Sequence, residues 1–180
     1  MESATERAPP PSLNGRSLLG SGGAPTREEV KDEWGRWLTE SFEPFDWWTT
    51  LTFDPKRGPS GVEGHTAVGW ALSDRYWREW LSEVTGDDGS TGLVASRSWW
   101  IRGREPNPWR YGTHFHALIG GVENLNRTAA WRAWFARHGM ARIEPYDPRK
   151  GAGWYVAKYV VKELGDIRFS DNFGLHRKGL

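Results

Sequence analysis

The chain has 180 residues, 24 Lys and Arg against 23 Asp and Glu, 37% apolar residues and no cysteine. That length supports one domain with a real core, and a chain without cysteine has neither disulfides nor thiolate metal sites. No apolar run approaches the roughly 18–20 residues of a membrane-spanning helix and no signal-peptide apolar stretch opens the chain, so a cytoplasmic protein with no membrane partner is expected.

The near-neutral total hides an asymmetry. Residues 1–126 hold 13 Lys and Arg against 18 Asp and Glu, whereas residues 127–180 hold 11 against 5. A basic C-terminal third is either a solvated face or a phosphate-facing surface. Thirteen tryptophans are unusual at this length. Most must fill the core, leaving some as stacking platforms for unpaired bases.

Residues 1–25 are rich in Pro, Gly and Ser and read as a disordered tail, followed by a single domain over 26–180. Thr26 is placed to cap a first helix, with Glu28 and Glu29 in its first turn and Val30, Trp34, Trp37 and Leu38 as its apolar stripe. Phe45 to Phe53 is β-branched and aromatic and stops at Asp54-Pro55, as a central strand would. After a Gly/Pro-rich connection, Val68, Leu72, Tyr76, Trp80 and Val84 recur at helical spacing until the Gly86–Ser90 cluster.

Two strand-like runs follow, roughly 93–104 and 112–119, separated by a Pro-Asn-Pro turn at 106–108. Asn124 or Asn126 then caps a helix through Trp131, Trp134 and Phe135, which Gly139 closes. Met140–Tyr146 alternates as a short strand. Asp147-Pro148 reads as the start of the helix that carries Tyr155 and Tyr159, and Ile167–Ser170 as a last strand. The order predicts an α+β fold, a mainly antiparallel sheet of about five strands flanked by helices.

Two constellations carry chemistry. In the second strand of the hairpin, period-two geometry puts His114 and His116 on one face. The hairpin also brings Glu105, which ends the preceding strand, beside them. Two imidazoles and a carboxylate suit Mn²⁺, Mg²⁺ or Zn²⁺, the carboxylate favouring the harder ions, although a His-x-His pair on its own is more often a hydrogen-bonded core or rim pair. In the last helix, Tyr155, Lys158, Tyr159 and Lys162 fall on one stripe at 3.6 residues per turn, while Trp154, Ala157, Val161 and Leu164 form another that can pack on the sheet. A phenol, with a free pKa of about 10, needs activation to attack at neutral pH. A cation on the phosphate and a lysine one turn away supply it.

Taken together, the motifs resemble those of the HUH endonucleases, in particular the initiators of rolling-circle replication in plasmids and single-stranded DNA phages. Trp48-Thr49-Thr50-Leu51-Thr52-Phe53-Asp54-Pro55 looks like the family's first motif. His114-Phe115-His116 is similar to its metal motif, and Tyr155-Val156-Ala157-Lys158-Tyr159-Val160-Val161-Lys162 resembles its third motif in the two-tyrosine form. The likeness covers roughly residues 45–170. It implies a metal-assisted nicking and joining enzyme for single-stranded DNA or an origin hairpin, working through a 5′-phosphotyrosine link.

In that scheme Tyr155 is the first nucleophile, Tyr159 the second or a pocket wall, and Lys158 a charge neutraliser. His114, His116 and Glu105 hold Mg²⁺ or Mn²⁺, and Lys162, Thr50 and Thr52 contact DNA. No helicase segment follows the last motif, so a separate unwinding enzyme is an expected partner. Three rivals stand beside this: the same chemistry in a transposase, a non-catalytic DNA-binding module on the same fold, and a small-molecule metallohydrolase, which leaves the paired tyrosines unexplained.

Overall fold

A computed structural model describes residues 25–54, 70–86, 97–106, 113–161 and 166–179. The expected N-terminal tail, the 56–64 connection and the Pro-Asn-Pro turn beyond Pro106 lie outside them. Thr26 caps α1 (Arg27–Glu40) reciprocally: its hydroxyl accepts from the Glu29 N–H at 3.3 Å, and the Glu29 carboxylate accepts from the Thr26 N–H at 2.7 Å.

Five strands form one sheet: β1 (Trp47–Thr52), β2 (Trp99–Pro106), β3 (Thr113–Gly120), β4 (Ala141–Pro145) and β5 (Asp166–Phe169). Their order is β4-β1-β3-β2-β5, and every pairing is antiparallel. With α2 (Trp70–Thr85), α3 (Arg127–Arg137) and α4 (Ala152–Val161), the expected α+β architecture is present.

Alternation along the strands sorts the core into two halves. On one face Trp47, Leu51, Phe115 and Ile119 meet Trp77 and Trp80 of α2 and Trp134 of α3. On the other, Ile101 and Leu118 meet Leu38 of α1 and Ala152 and Val156 of α4. Truncating a buried ring of this kind costs about 3–5 kcal/mol, which makes the tryptophan content mainly structural. Among the described tryptophan side chains only Trp131 is exposed.

Two local expectations change. Asp147 caps a short 3₁₀ turn (Pro148–Lys150), accepting from the Arg149 N–H at 3.0 Å. The turn ends at Gly151 with φ of +68°, and α4 starts afresh at Ala152. Trp154 then leaves the sheet and packs on α1. A Cβ added at Gly35 would lie 2.5 Å from its ring, so the glycine makes the room that the bulky indole takes. The small Ala152 and the branched Val156 face the sheet instead.

On the α2 side of β2 the alternation reaches Arg102 and Arg104, both buried. Arg102 is hydrogen-bonded to Asp74, and its guanidinium lies 4.5 Å from the centroid of Phe115. Arg104 reaches Ser73 at 2.6 Å and Asp166 at 3.2 Å, while Arg168 reaches Asp74 at 2.6 Å. Three guanidinium groups thus share two carboxylates. Burial lowers the pKa of Arg102 and takes that of Arg104 down to about 10.

Candidate metal centre and tyrosine

Strand register builds the site row by row. Thr52, His114 and Glu105 lie side by side across β1, β3 and β2, and Thr50, His116 and Gly103 form the next row. Glu105 stands at the end of its strand, as its spacing implied. β2 runs to Pro106, so Glu105 is held by ladder pairing opposite His114.

The His114 Nε2 lies 2.8 Å from Glu105 Oε1, and the His116 Nε2 lies 3.9 Å from the same oxygen. One donor atom from each of Glu105, His114 and His116 lies within 4.8 Å of the others, so this group can hold a metal ion. The donor set fits a divalent cation: one carboxylate oxygen and two imidazole nitrogens, close enough to share one centre. The partly buried Thr50 hydroxyl, 3.0 Å from His116 Nδ1, fixes the other side of that ring. With Thr50 accepting from Nδ1–H, Nε2 presents its lone pair to the centre. Trp48 stacks on the same imidazole at 5.5 Å and 12°.

Tyr155 enters from α4. Its hydroxyl lies 3.4 Å from His116 Nε2, its ring meets Trp48 edge-on at 5.2 Å, and 40% of the residue stays exposed. The Lys158 Nζ sits 3.4 Å from the centroid of the Tyr155 ring and 3.8 Å from Glu105 Oε1. The expected stripe is therefore present for Tyr155 and Lys158. Tyr159 falls in α4, but its side chain lies outside the described residues, as does the whole of Lys162.

Because α4 packs against β2, β3 and β5, the same face over β1 and β4 stays open. A cleft of about 460 Å³ runs there, lined by Trp48, Thr50, His116, Arg142, Lys150 and Tyr155, with Thr52 at the same floor. Both threonines expected at DNA thus line it, and Thr50 also positions the imidazole of a candidate metal ligand. The cleft carries Arg142 and Lys150 from the C-terminal third together with Glu144, to which Arg142 donates at 2.9 Å, and Asp147.

No protein-family profile, curated protein or solved structure matches this chain. No described helix is long and apolar enough to cross a membrane. Two features of the site escaped the sequence reading. Trp48 and Thr50 act on His116 from 68 and 66 residues away, contacts set by strand register that no local pattern announces.

Proposed function

We propose that the chain is a metal-dependent endonuclease and strand transferase of the HUH type, nicking and rejoining single-stranded DNA to start rolling-circle replication. One observation carries this reading. A partly exposed phenol, Tyr155, stands 3.4 Å from a histidine of a His-His-Glu group at the head of an open cleft, with a lysine beside it. Metal-assisted hydrolysis of a small molecule by water leaves that phenol without a role, whereas phosphodiester transesterification to the protein uses a nucleophilic hydroxyl of this kind.

Glu105, His114 and His116 would hold Mg²⁺ or Mn²⁺, which supplies positive charge to a non-bridging phosphate oxygen. The Tyr155 Oη attacks phosphorus, the new P–O bond replaces the bond to the 3′ oxygen, and the phenol proton ends, through solvent, on that oxygen. The 5′ end stays linked to tyrosine. Because no water enters the product, the exchange runs backwards to rejoin strands. Lys158 offsets charge on the phosphate as its geometry becomes trigonal bipyramidal. Of the basic residues lining the cleft, Lys150 attracts the strand, while Arg142 is paired with Glu144 at 2.9 Å and exchanges that partner for a phosphate.

The test is a denaturing gel with Mn²⁺ and pooled single-stranded oligonucleotides, some of them hairpins. A shifted band that survives denaturant, needs metal and vanishes in Tyr155→Phe and His114→Ala is expected. Loss only in Tyr159→Phe would exchange the tyrosines. Clear DNA binding without any adduct would leave a non-catalytic binding module.

A further inference from the structure

On the far side of the β4 edge, Trp131 and Phe135 stack one turn apart on α3, with ring centroids 4.7 Å apart and planes at 11°. They are 37% and 38% exposed. The helix holds three arginines and no acidic residue. Arg137 is committed to Glu83, while Arg127 and Arg132 are exposed on either side of the ring pair. The Trp131 Nε1–H donates to the Ala141 carbonyl at 2.8 Å, which sets the indole on the outer edge of β4. Ala141 is flanked by Met140, 65% exposed, and by Arg142, and all three line the metal-centre cleft. The ring pair begins where the cleft ends.

We infer that this face of α3 is a second contact for single-stranded nucleic acid, taking the strand that leaves the cleft over Met140 and Arg142; it rests on the DNA reading above. Parallel rings flanked by guanidinium groups match the alternation of bases and phosphates in an unpaired strand. A protein strand adding to the β4 edge is disfavoured, because Trp131 already takes the Ala141 carbonyl. The stack therefore extends the binding surface beyond the catalytic cleft without touching the reacting atoms.

Length dependence tests it. Fluorescein-labelled oligothymidylates of about 8 and about 24 nucleotides, the shorter spanning little more than the cleft, are titrated by anisotropy at low salt. Phe135→Ala and Arg132→Glu should weaken the longer strand roughly tenfold and the shorter one hardly at all. Trp131→Ala should do the same. It also exposes the Ala141 carbonyl, so the other two variants, which break no described backbone contact, decide the matter. Equal losses at both lengths, or none at either, would overturn the inference and leave the patch as cover for the β4 edge or a protein contact. Wild-type protein that binds neither length would overturn it, and would overturn the DNA reading too if the pooled oligonucleotides and hairpins also give neither binding nor adduct. Wild type that binds both and forms the tyrosine adduct, with length-independent variants, overturns the inference alone.

Discussion

The Thr50 Oγ1 lies 3.0 Å from His116 Nδ1, and this contact decides which nitrogen of the ring faces Glu105 and Tyr155. Partners on the far side of a ligating histidine typically change metal affinity 10–100-fold when removed. Thr50→Val, which keeps the branched shape and loses the hydroxyl, should weaken Mn²⁺ binding by roughly that factor in calorimetric titration. Thr50→Ser should restore most of it. A valine variant with wild-type affinity would leave Thr50 as a cleft-lining residue only.

Occupation of the centre should also stabilise the fold, because the three donors sit on paired strands and are separated when the chain unfolds. At Mn²⁺ about 100-fold above its dissociation constant the gain is about 2.7 kcal/mol. In a domain of this size that is a rise of about 5–10 °C in Tm. Chelation should reverse it, and Glu105→Ala or His114→Ala should abolish it. A wild-type melting curve indifferent to Mn²⁺ would count against a metal centre.

The parts legible in the sequence were those governed by short periods. Alternation put His114 and His116 on one face, and the helical repeat put Lys158 one turn from Tyr155; both hold in the structure. What escaped depends on distant elements. Arg102 and Arg104 alternate along β2 as though they faced solvent, yet they are buried because Asp74 from α2 and Asp166 from β5 arrive beside them. Trp154 belonged to an apolar stripe that suited the sheet, and only Gly35, more than a hundred residues earlier, makes α1 its place.

His138 carries a pH dependence. It packs against Tyr76 at 4.5 Å and Trp134 at 4.7 Å, and burial, aided by Arg137 and opposed by Glu83, lowers its pKa to about 4. The unfolded chain, with a histidine pKa near 6.5, therefore takes up the proton first as pH falls. The neutral ring's contribution is complete above about pH 6.5 and is lost progressively down to about pH 4, up to about 3 kcal/mol in all. Urea unfolding of wild type and His138→Phe across that range isolates the effect from other titrating groups. The difference between them should shift in the variant's favour as pH drops, and a constant difference would show that His138 does not titrate as its surroundings dictate.

Away from the cleft, Asp74 lies among three arginines. Its two oxygens serve Arg102 and Arg168, and Arg104 lies 3.9 Å from it, all against the α2 face of the strand whose next residue is Glu105. Removing that charge leaves two buried guanidinium groups, Arg102 and Arg104, with Asp166 as the only other carboxylate of the described network. Breaking a buried pair in this way costs about 3–5 kcal/mol, whereas loss of a half-exposed partner costs about 1 kcal/mol or less. Asp74→Asn should therefore destabilise strongly in denaturant unfolding, and Arg168→Gln, whose side chain is half exposed, only slightly. Since Arg104 and Glu105 are neighbours on β2, the asparagine variant should also bind Mn²⁺ more weakly while Arg168→Gln does not. If both variants unfold at the wild-type midpoint, the arginines are not held by Asp74, and the order of β2 beneath the candidate metal centre must come from its ladder bonds to β3 and β5.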